Sequence, residues 1–209
     1  MKVILTKALG AVALSLAASA AHAQTGWYGG VSIGQSKIQI DDSSVDVAGA
    51  TASSVKKDET DTGFKVYAGN RLNRNFALEG GFTDFGKFSA TRDVTAPAVG
   101  SATATVKSSG FHFDALGILP VGGFDLFAKV GLIYTTTKTD LSTSGALVAV
   151  SANGKKSEFD GKYGIGAEYR LPNAMGIRAE WERALNVGDP DKTGEGNIDL
   201  ISVGLTWRF

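Results

Sequence analysis

Residues 124–134 read FDLFAKVGLIY, and this stretch decides the fold class. Every second residue is apolar, and the apolar set is Phe124, Leu126, Ala128, Val130, Leu132 and Tyr134. The positions between them include Asp125, Lys129 and Gly131. An apolar side chain at every second position predicts a β-strand whose two faces lie in different environments.

The same period of two recurs along the chain. It predicts eight strands: Trp27–Lys37, Thr62–Leu72, Phe76–Phe85, Ser109–Leu119, Phe124–Thr135, Glu158–Arg170, Ile177–Arg183 and Asn197–Phe209. No stretch after residue 23 is apolar for about 18 residues, so no membrane-spanning helix is predicted. Short turns such as Asn73–Asn75 alternate with long polar links at about 38–61, 86–108, 136–157 and 184–196. These links contain the lysine pairs Lys56–Lys57 and Lys155–Lys156.

Aromatic residues on the apolar face indicate where that face points. They cluster near both strand ends, and we expect a lipid-facing girdle made of Trp27, Phe76, Phe124, Tyr134, Tyr169, Trp181 and Trp207. Two aromatic belts that flank an aliphatic band are typical of a wall in contact with lipid. The sheet must then close, because an open edge in lipid leaves backbone groups without hydrogen bonds. The sequence therefore predicts an all-β fold, an eight-stranded antiparallel up-and-down transmembrane β-barrel.

The first 23 residues have the pattern of a secretory signal peptide. Lys2 and Lys7 flank the start of the uncharged run Ala8–Ala20, and Ala21-His22-Ala23 forms a cleavage site. The uncharged run is shorter than the ~20 residues that a spanning helix requires. We expect residues 1–23 to be the signal peptide and residues 24–209 to form one outer-membrane barrel domain. An even strand count with short turns on one side predicts a multi-pass protein with both termini in the periplasm.

Composition excludes several functional classes. The 21 basic and 21 acidic residues balance, so there is no electrostatic case for nucleic acid binding. The absence of cysteine excludes disulfides, thiolate zinc sites and a cysteine nucleophile. The sequence contains no phosphate loop, calcium loop or metal-ligand cluster, and His112 is the one histidine after residue 23. We expect no cofactor and no bound metal.

Several stretches resemble the transmembrane domain of the outer-membrane protein A family, including its opacity-protein-like relatives. They are WYGG at 27–30, FALEGGFTD at 76–84, YGIGAEY at 163–169, RAEW at 178–181 and GLTWRF at 204–209. The last of these resembles the terminal assembly signal of outer-membrane proteins, carried by Leu205, Trp207 and Phe209. The resemblance implies periplasmic chaperones and the barrel-assembly machinery as partners during biogenesis, and outer-membrane lipid and lipopolysaccharide afterwards. Many family members continue into a peptidoglycan-binding domain; this chain stops before one, so wall anchoring is not expected.

The polar strand face supplies charges for the interior of the barrel. An eight-stranded barrel is just filled by its own side chains. Strand parity places inside it Lys65, Glu79, Lys129, Lys162, Glu168, Arg178, Glu180 and Glu182. The family resemblance implies an ion-pair network in which Glu79 pairs with Arg178 and Glu168 pairs with a lysine of the fourth strand. That strand has no lysine, and Lys129 is the expected substitute. We expect this network to close the barrel; the alternative is a narrow gated pore for small solutes.

A second alternative is an enzyme that modifies lipid A, in which a histidine works with a serine or an acid. His112, Asp114 and Ser109 lie close together in sequence on the fourth strand. Residues 112 and 114 share a face but are ~6.6 Å apart along a strand, and Ser109 has the opposite parity. We therefore expect a monomer without enzymatic activity. Its expected role is structural or surface-interacting, with extracellular loops open to a host or surface ligand.

Overall fold

The protein is represented by a computed structural model that describes residues 26–38, 52–96, 99–145, 151–189 and 194–209. The expected signal peptide, residues 1–23, lies outside these ranges. None of the described residues belongs to a helix of the length and hydropathy needed to cross a bilayer.

Nine β-strands make up the described chain. They are β1 (Gly26–Ile38), β2 (Ala52–Asp58), β3 (Thr60–Arg71), β4 (Phe76–Ala96), β5 (Gly100–Val121), β6 (Phe124–Gly145), β7 (Ser151–Arg170), β8 (Met175–Asp189) and β9 (Gly194–Arg208). Both β2 and β3 pair with β4, and only Glu59 separates them, so together they occupy one position in the sheet. The sequence prediction missed β2, which lies inside the predicted link 38–61.

The strands form a closed antiparallel ring. Neighbours in sequence pair with each other from β3 to β9, β1 pairs with β3, and β1 also pairs with β9 in the register Tyr28↔Arg208. Counting β2 and β3 as one position, the ring has eight positions. The predicted all-β, up-and-down antiparallel barrel is confirmed. We call the end with the short connections 72–75, 122–123 and 171–174 the turn end, and the opposite end the hairpin end.

The strands are longer at the hairpin end than the sequence predicts. The predicted links 86–108 and 136–157 are largely strand, because β4 runs to Ala96, β5 begins at Gly100 and β6 runs to Gly145. The ladder between β4 and β5 continues as far as Val94↔Gly100. The prediction of long loops here is wrong because these segments are rich in Ser, Thr and Ala. Threonine favours strands, but the segments lack the apolar contrast that makes period two visible.

Two bulges change which side chains enter the barrel. The register between β4 and β5 shifts between Asp84 and Lys87, and Gly86 has a φ of 83°. A left-handed residue that inserts one position into a strand reverses the facing of everything after it, and glycine adopts this conformation without strain. Phe88 therefore points inward and Lys87 outward. A second shift, between Ala184 and Val187 on β8, turns Val187 inward.

Candidate functional site: the charged interior and the apolar wall

The middle of the barrel holds a compact network of buried charges. Lys129 Nζ on β6 lies 3.0 Å from Glu180 Oε2 and 2.5 Å from Glu182 Oε2, both on β8. Lys65 on β3 reaches the same two acids, with Nζ at 3.0 Å from Glu182 Oε2 and an ion pair to Glu180. Lys162 Nζ on β7 lies 3.3 Å from Glu182 Oε2. Glu182 thus receives three lysines from three strands.

Arg178 connects this network to β4. Its Nη1 lies 2.7 Å from Glu79 Oε2, and its Nη2 donates to Glu180 Oε2 at 2.9 Å. The guanidinium carbon also lies 4.7 Å from the centroid of the Tyr67 ring and 4.3 Å from that of Phe127. The charged planar group is therefore held by carboxylates at its edge and by aromatic rings at its faces, a combination that lysine does not provide.

Asp114 on β5 also belongs to the network, although it was not among the expected interior charges. Asp114 Oδ2 lies 3.2 Å from Lys162 Nζ and 3.8 Å from Lys129 Nζ. His112 is also inward, with Nδ1 at 3.0 Å from the same oxygen. The acids of the network are therefore Glu79, Asp114, Glu180 and Glu182. With Lys65, Lys129, Lys162 and Arg178, four acids face four cations.

Glu168 lies outside this network, and its expected pairing with Lys129 is wrong. Its partner is Arg208 on β9, near the turn end. The backbone register explains this, because Glu168 is level with Asp125 on β6, four residues toward the turn end from Lys129. Asp125 in turn accepts a hydrogen bond from Arg71 Nη1 at 2.9 Å. These side chains line a cavity of about 240 Å³ at the turn end.

Above the charges, toward the hairpin end, the interior is filled by apolar side chains. We call this set the apolar plug, and it comprises Ile38, Phe85, Phe88, Ile133, Ala184, Val187, Ile198 and Leu200. Phe88, Ile133, Ile198 and Leu200 are fully buried. The sequence pattern does not predict the plug, because its members lie on the face that is polar elsewhere. Phe88 and Val187 also depend on the two bulges, which the sequence does not reveal.

The outer wall is apolar over the middle of the strands. Val130 and Ile201 are each 65% exposed, and the turn-end aromatic Trp27 is 64% exposed. Of the expected girdle residues, Phe76, Phe124, Tyr134, Tyr169 and Trp207 are also exposed, and Trp181 is half-buried. Phe111 and Phe159, which the expected girdle omitted, are among the most exposed aromatic side chains. The apolar exterior and charged interior reverse the arrangement of a soluble barrel.

The residues that a lipid A enzyme would need do not come together. His112 and Asp114 face the interior, with side chains leaning to 3.0 Å despite their spacing along the strand. Ser109 faces outward, level with Thr136 of β6. The structure does bring Glu79 beside His112 and Asp114, with candidate ligand atoms within 4.8 Å of one another. Glu79 and Asp114 already bind Arg178 and Lys162, so this group is part of the ion-pair network.

A closed antiparallel barrel with an apolar, aromatic-rimmed wall and a charged interior has the architecture of a bacterial outer-membrane β-barrel protein. The comparison with known families agrees with this class. The chain belongs to the family described as outer membrane protein beta-barrel domain, whose sequence pattern matches residues 6–209. This family membership supports a location in the outer membrane.

Individual relatives are distant. The chain is 25% identical over 210 residues to outer membrane protein A of Yersinia pseudotuberculosis serotype I (strain IP32953), covering 100% of this chain and 55% of that protein. The chain thus spans about half the length of this relative. The outer membrane protease OmpT of Escherichia coli has a similar fold, with 12% identity, a TM-score of 0.51 and coverage of 91% and 99% of the two chains. Ail, the attachment invasion locus protein of Yersinia pestis, has 17% identity, a TM-score of 0.48 and coverage of 88% and 99%.

Proposed function

We propose that this protein is an integral outer-membrane barrel with a closed lumen, and that its role is structural or surface-interacting rather than enzymatic. The observation that carries the proposal is the layered interior, in which a balanced set of four acids and four cations lies beneath the apolar plug. Buried charges are tolerated when they are paired and hydrogen-bonded. The apolar plug separates these charges from the hairpin end of the barrel.

The proposal includes the orientation and the biogenesis of the protein. Residues 1–23 direct export, and the turn end faces the periplasm, so that the hairpin end stands outside the cell. The terminal strand supports assembly, because Leu205 and Trp207 lie on its lipid-facing side and the backbone N–H of Phe209, which follows the strand, donates to the Trp27 carbonyl at 2.9 Å. Periplasmic chaperones and the barrel-assembly machinery are the proposed partners during insertion. The folded protein is a monomer surrounded by lipid and lipopolysaccharide.

Refolding tests the inside-out arrangement directly. We expect the chain without residues 1–23 to refold from urea into detergent or phosphatidylcholine vesicles, where it will migrate differently on gels before and after boiling. In buffer without detergent we expect aggregation. A folded, soluble protein in plain buffer would overturn the proposal, because the apolar residues assigned to the outer wall would then have to be buried in a core.

Planar-bilayer recording tests whether the lumen is closed. Glu180 binds both Arg178, two residues away on β8, and Lys129 of β6, and this shared acid is the specific observation that favours a gated pore in which the cations exchange partners. The closed-lumen proposal expects no discrete conductance from the wild type. It expects the same from Glu79→Gln/Lys129→Gln, because the plug remains. A conductance that appears in this variant supports the pore.

A further inference from the structure

We propose that a row of four lysines on the outer wall binds the phosphate groups of a multiply phosphorylated membrane lipid. The row crosses four neighbouring strands. Lys87 on β4 is level with Lys107 on β5, Lys107 with Lys138 on β6, and Lys138 with Lys155 on β7. This inference rests on the proposed position of the barrel in a membrane.

The four lysines face outward and carry uncompensated charge. All four are exposed. Within the part of the chain that the structure describes, none of the four ammonium groups has a carboxylate at ion-pairing distance. Like charges placed directly opposite on neighbouring strands destabilise a sheet. Three such pairs in succession therefore indicate a site whose counter-ions come from outside the chain.

A row of aromatic rings lies below the lysines on the same wall. Phe82, Phe111, Tyr134 and Phe159 are level with one another across the same four strands. The ring centroids of Phe82 and Phe111 are 5.2 Å apart, and those of Tyr134 and Phe159 are 4.8 Å apart. Such belts lie at the height of the lipid headgroups. Lys107 is four residues above Phe111, a distance of about 13 Å along a strand.

The surface between the two rows is polar and concave. It carries Asp84, Ser109, Thr136 and Ser157, again level across the four strands. A groove of about 560 Å³ is lined by residues of this layer together with all four lysines. Two acids border the groove, but Asp84 accepts a hydrogen bond from the Gly86 backbone and Asp61 accepts one from the Lys87 backbone. The groove keeps an excess of two positive charges when both acids are counted.

The order of the layers identifies the class of ligand. From the apolar wall outward, the protein presents aromatic rings, then hydroxyl groups, then ammonium groups. In a membrane lipid the acyl chains would lie against the apolar wall, a sugar or glycerol backbone against the hydroxyl groups, and the phosphates against the ammonium groups. Four ammonium groups span roughly 15 Å across four strands. This width fits several phosphates at once better than a single one. We therefore assign the row to a bisphosphorylated glycolipid of the lipid A type in the leaflet at the hairpin end.

Binding of lipid A to the folded chain in phosphatidylcholine nanodiscs tests the assignment. A basic residue near an anionic membrane surface contributes a factor of roughly five in binding, so Lys107→Gln/Lys138→Gln should weaken lipid A binding by roughly 25-fold. The charge-matched control is Lys37→Gln/Lys56→Gln, which removes two exposed lysines that lie on β1 and β2, outside the row. We expect the control to bind as the wild type does. Lys107→Arg/Lys138→Arg should retain binding, because charge and hydrogen-bond donors remain.

Two further ligands distinguish the source of the phosphate. Dephosphorylated lipid A and phosphatidylglycerol should bind at least roughly tenfold more weakly than bisphosphorylated lipid A, and millimolar inorganic phosphate should not displace it. Equal binding by wild type and Lys107→Gln/Lys138→Gln, or displacement by inorganic phosphate, would overturn the inference. Failure of the membrane proposal has a different signature, because the wild type would then not insert into phosphatidylcholine nanodiscs at all. Heat-modifiable migration of each variant verifies that it is folded.

Discussion

Arg178 Nη1 lies 2.7 Å from Glu79 Oε2, and the two side chains meet from opposite walls of the barrel. Their strands, β8 and β4, are four ring positions apart in either direction. The pair therefore spans the lumen, and it joins residues separated by 99 positions in sequence. Both groups are buried, so this contact braces the barrel where water does not screen it.

Removal of one partner of this pair should strongly destabilise the barrel. Arg178→Met leaves Glu79 with an uncompensated buried charge, and we expect a loss of about 3–5 kcal/mol in the free energy of unfolding. Glu79→Gln/Arg178→Met removes both charges and should lose less. Urea unfolding in lipid vesicles measures the difference. Lys56→Gln breaks the exposed pair with Asp93 and serves as control, with an expected loss of about 0–1 kcal/mol.

The facing of the outer wall can be tested with one charge at two heights. Val130 is 65% exposed and lies on β6 between the wall aromatics Phe124 and Tyr134, and Val121 is exposed at the turn end of β5. Val130→Arg should lose about 2–4 kcal/mol, whereas Val121→Arg should lose about 0–1 kcal/mol, since the cost depends on depth in the bilayer. The same vesicle assay applies. Equal stability of the two variants would contradict a lipid-facing Val130.

Close backbone approach at Gly131 makes a specific prediction about packing. A Cβ atom at Gly131 would collide with the Phe113 carbonyl on β5 and with the side chain of Asp114. Gly131→Ala should therefore cost about 1–3 kcal/mol through local overpacking. Gly117 lies on the same pair of strands, and a Cβ there meets nothing within 4 Å. Gly117→Ala is the matched control and should leave the free energy of unfolding nearly unchanged; a similar loss in both variants would point to strand propensity instead.

Trypsin should not cut the folded protein at the lysine pairs that the sequence placed in loops. Lys56 and Lys57 lie in β2, level with Thr91 and Ala90 of β4. Lys155 and Lys156 lie in β7 and are paired with β6. A backbone held in a ladder does not enter a protease active site without local unfolding. Mass spectrometry of fragments released from intact cells checks this, with heat-denatured membranes as the positive control. Rapid cleavage at these four lysines would show that the hairpin-end strands open.

The sequence predicts the wall of this barrel better than its contents. The alternation over 124–134 predicts which residues of β6 face lipid and which face the lumen, because lipid favours apolar side chains and the lumen favours polar ones. Glu79 on β4 and Asp114 on β5 lie opposite each other in the backbone register. That register cannot be read from a single sequence. Contacts across the lumen depend further on how the ring closes. For this reason the predicted partner of Lys129 is Glu168, whereas its partners in the structure are Glu180 and Glu182.

The two bulges explain a further part of the difference. Strand parity carried past Asp84 would place Phe88 in lipid and Lys87 in the lumen. The extra residue at Gly86 reverses both, so one insertion completes the apolar plug and the lysine row together. Gly86 has a sequence signal in hindsight, since it follows Asp84, whose carboxylate accepts the Gly86 backbone N–H at 2.7 Å. The Ser- and Thr-rich segments that follow, at the hairpin end of β4 to β6, contain no residue pattern that predicts their strands.

Strands β4 to β7 leave the membrane already hydrogen-bonded to one another. In the proposed orientation, the part of these strands outside the cell is therefore a stiff scaffold, and the embedded wall beneath fixes its alignment. If the proposed surface role holds, substitutions at the outermost positions would change what this surface recognises without disturbing insertion or closure. Such a separation lets a surface protein evolve new recognition quickly while its anchorage stays constant.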